Sequence, residues 1–223
     1  MAKILIVEDE ANIRSLVRYD LKSLDHQIDE CENGNEGLMT ALQGNYDVLI
    51  IDWMLPDLSG DKITERLREE GIQAIIIMLT AKDSEEDIIT AFECGVDDYI
   101  TKPFSPRELT ARINAHLKRF ISENDTTKTR KFGNMEINSN RRTVKINDED
   151  VQLTKTEYEL LTYFIDNRNI VLSRDTILNQ IWGFSYDGDT RIVDVHIFKL
   201  RNKLRDADYQ IKANRGVGYI LES

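Results

Sequence analysis

Acidic residues follow two strongly apolar stretches of this sequence. Glu8 and Asp9 come directly after the apolar run at residues 4–7, and Asp52 comes directly after the run at residues 48–51. A carboxylate at the end of a buried strand is destabilising unless another group pairs with it. Three carboxylates brought together repel one another and need a cation, and hard oxygen ligands suit Mg²⁺. The pattern therefore predicts a magnesium site.

Thr80 and Lys102 also lie at the ends of strand-like stretches. Thr80 offers a hydroxyl donor and Lys102 an ammonium group, and both suit the oxygens of a phosphoryl group. With Mg²⁺ present to offset charge, Asp52 could accept a phosphoryl group as a carboxylate nucleophile. Taken singly, these residues have ordinary alternatives, such as acids at a helix N-terminus, a threonine at a strand end and a surface lysine. Their combination favours a phosphoryl-acceptor site.

Alternating apolar and amphipathic stretches position these residues in the first half of the chain. Strand-like runs alternate with helical patterns such as the stripe of Ile13, Val17 and Leu21. This alternation predicts an α/β fold with a doubly wound parallel sheet and helices on both faces. Ligands bind such sheets outside the carboxyl ends of the strands. The predicted strands are residues 4–7, 27–31, 48–51, 75–79 and 98–101.

The second half predicts a smaller α+β domain. The polar segment at residues 122–131 lacks an apolar period and is typical of a linker. Short alternating strands, three helical patterns and a closing hairpin follow it, with Thr154 and Ser173 as expected N-caps of the first two helices. We expect a first domain at residues 1–121, a linker at 122–131 and a second domain at 132–223.

Charge and cysteine content indicate the kinds of partner and the compartment. The first 121 residues carry 13 Lys and Arg against 24 Asp and Glu, while the remainder carries 16 of each. Residues 191–215 hold 7 basic and 3 acidic side chains, so a locally basic segment follows an acidic domain. Cys31 and Cys94 fit no disulfide or metal spacing, and we recognise no signal peptide or membrane-spanning run. We therefore expect a cytoplasmic protein without a membrane partner.

The third helical pattern of the second half has an apolar face and a polar face. Val193, Ile197 and Leu200 form the apolar stripe, while Arg191 and Lys199 lie on or near the opposite side. A helix that buries one face and presents basic and amide groups on the other suits the major groove of DNA. A solvated, charged helix is the alternative for this segment taken alone.

The chain resembles two-component response regulators of the OmpR/PhoB type over nearly its whole length. The resemblance implies a five-stranded, flavodoxin-like receiver domain and a winged helix-turn-helix domain. In the first half the matching residues are Glu8, Asp9, Asp52, Pro56, Gly60, Thr80, Ala81, Asp97, Asp98, Tyr99, Lys102, Pro103 and Phe104. In the second half the matching segments are residues 154–161, 193–197 and 215–219.

The resemblance implies roles for the residues of the receiver. Asp52 would accept a phosphoryl group from the phosphohistidine of a sensor histidine kinase, and Tyr99 would then rotate inward as a switch. The implied ligands of Mg²⁺ are Glu8, Asp9, Asp52 and the backbone carbonyl of Met54. The implied phosphate-binding residues are Thr80, Ala81 and Lys102, with a cis peptide bond before Pro103.

The resemblance also implies a homodimer formed by the fourth helix, the fifth strand and the fifth helix. Asp98 would pair with Arg112 across the dimer, and Asp97 or Glu93 would pair with Arg119. Ile88 stands where the family commonly has a basic residue, so we expect a weaker or more apolar contact. The implied interface residues are Ile88, Glu93, Asp97, Asp98, Glu108, Arg112 and Arg119.

For the second domain, the resemblance implies binding to double-stranded promoter DNA. The third helix would enter the major groove, and the hairpin wing would reach the minor groove. The loop at residues 183–189 matches a family segment that contacts RNA polymerase, which makes polymerase a further candidate partner. The implied DNA contacts are Arg191, Val195, Phe198, Lys199, Arg201, Asn202 and Arg215.

Some residues near Asp52 depart from the family pattern. Trp53 replaces a smaller aliphatic residue, and Met54 and Lys82 occupy positions that tune hydrolysis of the phosphoryl group. An apolar Met54 would not orient an attacking water, so we expect a long-lived phosphoryl state. Two other functions use similar residues: a Mg²⁺-dependent phosphatase or phosphotransfer enzyme, and a phosphorylation-independent DNA-binding regulator whose receiver only dimerises. The chain lacks the cap domain and the second acid after Asp52 that a phosphatase would need.

Overall fold

A computed structural model describes residues 1–22, 25–82, 84–121, 129–139, 141–183 and 190–223, without the side chains of residues 85, 86, 88, 89 and 118–121. The chain divides into two compact units, Met1–Asn114 and Ala115–Ser223. The division falls within a helix at Pro106–Ile121, whereas the sequence predicted a boundary at residue 121. In the described part of the chain, every helix is too short or too polar to cross a membrane.

The first unit is built on a five-stranded parallel sheet, which confirms the predicted fold. The strand order is β2-β1-β3-β4-β5. The strands are β1 (Lys3–Val7), β2 (Gln27–Cys31), β3 (Val48–Asp52), β4 (Ile75–Thr80) and β5 (Asp98–Thr101). The helices are α1 (Ala11–Lys22), α2 (Gly34–Gln43), α3 (Gly60–Glu69), α4 (Glu85–Cys94) and α5 (Pro106–Ile121).

The strand order explains why polar residues meet at one edge of the sheet. All residues of β3 and β4 are buried, as expected for central strands covered on both faces. The chain passes from β1 outward to β2 and then returns across β1 to β3, so a topological switch point lies between β1 and β3. The crevice at such a point binds ligands at the carboxyl ends of the strands. The acidic residues follow or end these two strands.

Asp57 anchors the loop that follows β3 to the start of α2. Its carboxylate accepts hydrogen bonds from the backbone N–H groups of Gly34 at 2.7 Å and Asn35 at 2.9 Å, and from the Asn35 side chain at 2.7 Å. The backbone hydrogen bond from Asn35 contributes most to lowering the pKa of Asp57 to about 2. These N–H groups lie in the first turn of α2, where they have no partner inside the helix. The ionised carboxylate therefore stabilises the folded loop.

Replacing Asp57 should make the stability of the first unit depend less on pH. The pKa of Asp57 is lowered in the folded state, so its stabilisation is present above the ordinary value of 3.8 and is lost as the pH falls towards about 2. We expect Asp57→Asn to lower the urea midpoint at pH 7, and the difference from the wild type to narrow as the pH falls through that range. Urea titrations of both proteins, monitored by circular dichroism at pH 7 and at lower pH towards about 2, measure the difference in midpoint. The exposed control Asp25→Asn should not show this convergence, and a constant difference for Asp57→Asn would contradict the assignment.

The second unit contains a four-stranded antiparallel sheet, three helices and a small three-stranded sheet, and this confirms the α+β fold. Its helices are α6 (Lys155–Asp166), α7 (Arg174–Ile181) and α8 (Arg191–Lys203). The first sheet contains β6 (Thr129–Phe132), β7 (Met135–Asn138), β8 (Thr143–Ile146) and β9 (Glu149–Val151). The second contains β10 (Leu172–Ser173), β11 (Gln210–Asn214) and β12 (Gly218–Glu222) in the order β10-β12-β11.

The helix starts follow the predicted capping pattern. Thr154 and Glu157 form a capping box at the start of α6, in which each side chain binds the backbone of the other residue. Ser173 accepts a hydrogen bond from the backbone N–H of Thr176 at 3.0 Å and caps α7. The sequence did not predict β10, a strand of two residues. At its pairing with β12, a Cβ on Gly218 would lie 1.9 Å from the carbonyl oxygen of Leu172, so the close approach requires glycine.

The structure corrects the end of the predicted linker. Residues 122–128 lie outside the described residues, but Thr129 already begins β6, so residues 129–131 belong to a strand. This strand pairs with β7 through backbone hydrogen bonds, from Thr129 opposite Asn138 to Phe132 opposite Met135. A strand at the edge of a sheet can be polar because half of its backbone and much of its side-chain surface face solvent. That explains why hydrophobic pattern alone did not identify it.

Candidate functional site

Three carboxylates meet where β1 and β3 end. Glu8 and Asp52 are buried and Asp9 is exposed, and each offers an oxygen such that all three oxygens lie within 4.8 Å of one another. The parallel pairing of β1 with β3 brings them together, since Val7 lies opposite Ile51 in the register. The sequence had predicted this meeting from the positions of the residues after apolar runs. The described structure therefore contains a compact acidic cluster at the switch point of the sheet.

Lys102 provides the positive charge inside this cluster. Its Nζ lies 2.7 Å from Asp52 Oδ2 and 2.9 Å from Glu8 Oε2, and it donates to Glu8 Oε1 at 3.1 Å. Glu10 lies further away, at 3.7 Å. Lys102 follows β5, and the Lys102-Pro103 peptide bond is cis, as expected. The ammonium group reaches across the sheet edge and compensates two buried carboxylates at once.

The surroundings change the proton affinity of Glu8 and Lys102. Burial raises the pKa of Glu8 to about 7, against the hydrogen bond from Lys102, and the neighbouring charge of Asp52 adds to the rise. Burial lowers the pKa of Lys102, but its hydrogen bonds to Asp52 and Glu8 outweigh this and the net pKa is raised. One ammonium group thus shares its charge among several acids. The remaining negative charge and the hard oxygen donors fit a divalent cation such as Mg²⁺.

The turn after Asp52 is tightly folded. The backbone N–H of Met54 donates to Asp52 Oδ1 at 2.9 Å, so the main chain of Met54 lies beside the carboxylate. The Met54 side chain is 60% exposed. The N–H of Gly60 donates to the carbonyl of Trp53 at 2.9 Å, and a Cβ on Gly60 would lie only 2.4 Å from the carbonyl oxygen of Asp52. Glycine at this position therefore allows α3 to start directly against the end of β3.

The loop after β4 connects Thr80 to Tyr99. The fully buried Thr80 accepts a hydrogen bond on Oγ1 from the backbone N–H of Lys82 at 3.0 Å. The hydroxyl of Tyr99 donates to the carbonyl oxygen of the same residue, Lys82. Ala81, between them, is exposed. Tyr99 is already buried in this structure, whereas the resemblance led us to expect inward rotation only after phosphorylation.

Lys82 also joins this loop to the residue after Asp52. Its Nζ lies 4.2 Å from the centroid of the Trp53 ring and 3.2 Å from Asp87 Oδ1. Asp87 belongs to the first turn of α4, whose N-cap is Ser84. The sequence had identified Trp53 and Lys82 as departures from the family pattern, but no spacing signal indicated that they contact each other. This Trp53–Lys82–Asp87 contact links the loops after β3 and β4.

Asp97 and Asp98, two of the expected interface residues, have partners within the same chain. Asp97 is fully buried and accepts from Arg68 Nη2 at 2.7 Å and from the backbone N–H of Ile76 at 2.9 Å. Arg68 and the start of β4 surround this carboxylate, while the side chain of Arg119 lies outside the described residues, so the pairing of Asp97 with Arg119 stays a prediction. Asp98 is also fully buried, and its Oδ1 lies 3.2 Å from Nη1 of Arg112 in the same chain.

Of the remaining expected interface residues, the structure describes the side chains of only some. Glu108 pairs with Arg112 at 2.7 Å, one helical turn away along α5. Glu93 is exposed on α4. The side chains of Ile88 and Arg119 lie outside the described residues. On this face Glu93 is therefore an exposed acid, while Asp98 pairs with Arg112 of the same chain.

Helix α8 presents the predicted two faces. Val193, Ile197, Leu200 and Leu204, the last just after the helix, are buried as expected. Among the expected DNA contacts, Arg191, Phe198 and Asn202 are exposed on α8, and Arg215 is exposed in the turn between β11 and β12. Val195 and Lys199 are half-buried. His196 is buried and packs against Trp182, with ring centroids 5.3 Å apart.

Arg201 differs from the other expected DNA contacts. Its Nε donates to the carbonyl oxygen of Ile211 in β11 at 2.6 Å, and its guanidinium lies 5.3 Å from the centroid of the Tyr219 ring. Arg201 therefore connects α8 to the hairpin of β11 and β12. An arginine on a basic helix is also typical of a phosphate contact. The sequence by itself could therefore not show whether Arg201 contacts DNA or supports the hairpin.

A polar joint that the sequence did not predict fixes α8 against its neighbours. Asp194 Oδ1 accepts from Arg174 Nε at 2.8 Å and from the hydroxyl of Tyr219 at 2.6 Å. Burial, followed by the hydrogen bond to Asp194, raises the pKa of Tyr219. The three residues belong to α7, α8 and β12. The joint therefore sets the position of α8 relative to the hairpin.

Two protein families match the chain along most of its length. Residues 4–114 match the family described as "Response regulator receiver domain", and residues 148–221 match "Transcriptional regulatory protein, C terminal". The chain belongs to the response regulators. In the regulator, the first match contains the acidic cluster and the second contains α8 and the hairpin, so the winged helix-turn-helix assignment for the second unit is confirmed.

Known relatives support the same conclusion. The regulator is 38% identical over 224 residues to the transcriptional regulatory protein CiaR of Streptococcus pneumoniae, covering 100% of the regulator and 99% of CiaR. It is 40% identical over 228 residues to the response regulator ArlR of Staphylococcus aureus, covering 99% and 100%. A solved structure of a RitR mutant has a TM-score of 0.78 and 30% identity, covering 100% of both chains. The regulator therefore combines a receiver with a DNA-binding domain, which argues against the phosphatase alternative.

The contact between Trp53 and Lys82 should be measurable as a coupling free energy. A cation over an aromatic ring contributes about 0.5–1 kcal/mol at partly exposed sites. In a double-mutant cycle of Trp53→Leu and Lys82→Met, the sum of the two single losses of stability should exceed the loss in the double mutant by about that amount. Thermal unfolding followed by calorimetry provides the measurement. A parallel cycle that pairs Trp53→Leu with Lys62→Met, a lysine bound to Glu65, should be additive, and equal coupling in both cycles would contradict the contact.

Proposed function

We propose that the regulator accepts a phosphoryl group on Asp52 and uses it to control binding of its second domain to promoter DNA. The observation that carries this proposal is the shared contact of Lys102 with Asp52 and Glu8, at 2.7 and 2.9 Å. An ammonium group at this distance from the acceptor carboxylate can also contact a phosphoryl oxygen attached to it. The donor is the phosphohistidine of a sensor histidine kinase.

The transfer step exchanges one phosphorus bond for another. An Oδ atom of Asp52 attacks phosphorus, the P–N bond to the kinase imidazole breaks, and the imidazole keeps the bonding pair and takes up a proton. Glu8, Asp9, Asp52 and the backbone carbonyl of Met54 would hold Mg²⁺, which offsets the charge between the incoming phosphoryl oxygens and the carboxylates. Lys102 transfers its hydrogen bond from the Asp52 carboxylate to a phosphoryl oxygen.

The loop after β4 carries the signal away from Asp52. The hydroxyl of Thr80 now accepts from the N–H of Lys82, and after phosphorylation it donates to a phosphoryl oxygen, as does the N–H of Ala81. Moving Thr80 withdraws the acceptor of the Lys82 N–H, and Lys82 also accepts the hydroxyl of Tyr99. Tyr99 therefore responds through a change in its hydrogen-bond partner rather than through burial alone.

The proposed partners bind the face of α4, β5 and α5 in the first unit and α8 in the second. The face formed by α4, β5 and α5 contacts a second copy of the chain, with Glu93, Glu108, Arg112 and residues 88 and 119 contributing. Dimerisation places two copies of α8 on neighbouring half-sites and raises their effective concentration on DNA. RNA polymerase is a further proposed partner through the loop at residues 183–189, of which 184–189 lie outside the described residues. The regulator works in the cytoplasm, with a receiver ending near residue 121 and an effector domain after it.

Phosphorylation of Asp52 is tested directly with a small acyl phosphate and Mg²⁺. We expect slow, stoichiometric addition of one phosphoryl group by intact mass, together with dimerisation in analytical ultracentrifugation. Asp52→Asn and chelation of Mg²⁺ should each abolish the added mass, whereas the control Asp148→Asn should leave it unchanged. An apolar Met54 at the turn also predicts that the adduct persists through the centrifugation run.

Two results would count against this proposal in different ways. Rapid multiple turnover of the acyl phosphate would identify a phosphotransfer or phosphatase enzyme. Absence of added mass on the wild type, under conditions that modify another receiver, would identify a phosphorylation-independent regulator that uses the first unit only for dimerisation.

We propose that α8 binds the major groove and that the hairpin binds the neighbouring minor groove. Arg191, Phe198 and Asn202 are exposed on one side of α8, with Val195 and Lys199 beside them. Phe198 and Val195 suit the methyl group of thymine. Arg215 at the hairpin tip reaches the minor groove or a phosphate. Arg201 contributes by holding β11 against α8, through its contact with Ile211, rather than by contacting DNA alone.

Replacing Arg215 should weaken DNA binding and reduce its dependence on salt. Loss of one phosphate or minor-groove contact lowers the slope of log affinity against log salt concentration by about 0.9. Fluorescence anisotropy of the full chain on a mixed-sequence duplex at several salt concentrations measures this slope for Arg215→Ala. The control Arg66→Ala removes an equal charge from α3, where Arg66 pairs with Glu69 and Glu70. Equal changes in both variants would attribute the effect to net charge and overturn the assignment of Arg215.

A further inference from the structure

Arg14 binds the backbone of both acidic residues that follow β1. Its Nη1 donates to the carbonyl oxygen of Glu8 at 2.6 Å and to that of Asp9 at 3.2 Å. Its Nη2 donates to Glu32 Oε1 at 2.7 Å, and its Nε lies 4.0 Å from Glu30 Oε1. Arg14 is only 9% exposed although it lies in the first turns of α1. A buried guanidinium thus ties α1 to the turn that carries Glu8 and Asp9.

The backbone around Glu8 is held from both sides. Its N–H donates to the carbonyl of Cys31 at the end of β2 at 3.2 Å, while its carbonyl accepts from Arg14. The N–H of Glu10 donates to Glu8 Oε1 at 3.2 Å, which also orients the side chain. A planar guanidinium fixes two acceptors in direction as well as distance, which an ammonium group cannot do. By fixing this turn of the backbone, Arg14 can orient the carboxylates of Glu8 and Asp9.

We propose that Arg14 is a positioning residue for the cation site, one that presents Glu8 and Asp9 to a divalent cation together with Asp52. This inference rests on the proposed Mg²⁺ role of those carboxylates. Arg14 contacts main-chain carbonyls and Glu32, not the three clustered carboxylates themselves. Groups that orient metal ligands from outside typically change metal affinity about 10- to 100-fold when they are replaced.

A positioning role and a purely electrostatic role of Arg14 predict opposite changes in Mg²⁺ affinity when Arg14 is replaced. A positive charge near a cation site repels the cation, so loss of charge alone should tighten binding of Mg²⁺. Loss of the two carbonyl contacts instead loosens the turn and should weaken binding. The direction of the change therefore separates the two roles.

The test is calorimetric titration of the full chain with MgCl₂ in the absence of any phosphoryl donor. We expect Arg14→Met to weaken Mg²⁺ binding by about tenfold or more. Arg14→Lys keeps the charge but loses the paired geometry, so it should also bind Mg²⁺ more weakly than the wild type. The control Arg18→Met removes an equal charge from α1, where Arg18 pairs with Glu30 at 3.3 Å, and should not weaken binding.

Hydrogen exchange supplies a second readout that does not require Mg²⁺. In Arg14→Lys the amide of Glu10 should exchange faster, because the turn that orients its acceptor is looser, while amides of β3 should stay protected. If Arg14→Met does not fold, Arg14→Lys carries both measurements. Mg²⁺ affinity that is unchanged or tighter in Arg14→Lys would overturn the positioning role.

The controls separate this inference from the proposed function. If the wild type binds Mg²⁺ and Asp9→Asn abolishes binding, while Arg14→Lys binds as the wild type does, only the role of Arg14 fails. If the wild type does not bind Mg²⁺ at all, the proposed cation site and the role of Arg14 fail together.

Discussion

The charge of Lys102 compensates the carboxylates of Glu8 and Asp52, and the edge of the sheet depends on this compensation. Two acids buried side by side would destabilise the ends of β1 and β3 through desolvation and mutual repulsion. One ammonium group, reaching them from the far end of β5, offsets both, with distances of 2.7 and 2.9 Å. Burial raises the pKa of Glu8 to about 7, against the hydrogen bond from Lys102, so this contact does not fully offset the desolvation of the carboxylate. The clustered oxygens of Glu8, Asp9 and Asp52 are hard donors that suit a divalent cation such as Mg²⁺.

The same edge also connects the loop after β3 with the loop after β4 and the start of α4. Trp53 follows Asp52, Lys82 follows Thr80, and Asp87 starts α4, yet the side chain of Lys82 contacts the other two. The main chain of Lys82 connects Thr80 with Tyr99. Hydrogen bonds and one cation–ring contact therefore connect the residue after Asp52 with the start of α4 and with Tyr99 in β5. The buried pair of Asp97 with Arg68 lies at the opposite end of the sheet, where Asp97 also accepts from the N–H of Ile76 near the start of β4.

The second unit uses a related principle with different residues. Asp194 accepts from both Arg174 and Tyr219, and Arg201 binds the carbonyl of Ile211, so polar groups on the inner side of α8 hold the hairpin. This leaves Arg191, Phe198 and Asn202 on the outer side. The proposed contact of α8 and the hairpin with neighbouring grooves of DNA needs a defined spacing between the two elements. The joint at Asp194 supplies that spacing.

The amino-acid sequence by itself determined the order of strands and helices in the first unit, the burial of β3 and β4, the helix caps at Thr154 and Ser173, and the meeting of Glu8, Asp9, Asp52 and Lys102. These features follow from local periodicity and from the rule that parallel strands end at one edge. Only the tertiary structure decided that Arg14 holds the turn of Glu8 and Asp9, that Asp97 is enclosed by Arg68, that Lys82 lies on Trp53, and that Arg201 supports the hairpin. An arginine or lysine has the same local pattern whether it faces solvent, DNA or a carbonyl oxygen. The partner of such a long side chain depends on contacts between residues distant in sequence, and periodicity carries no information about those contacts.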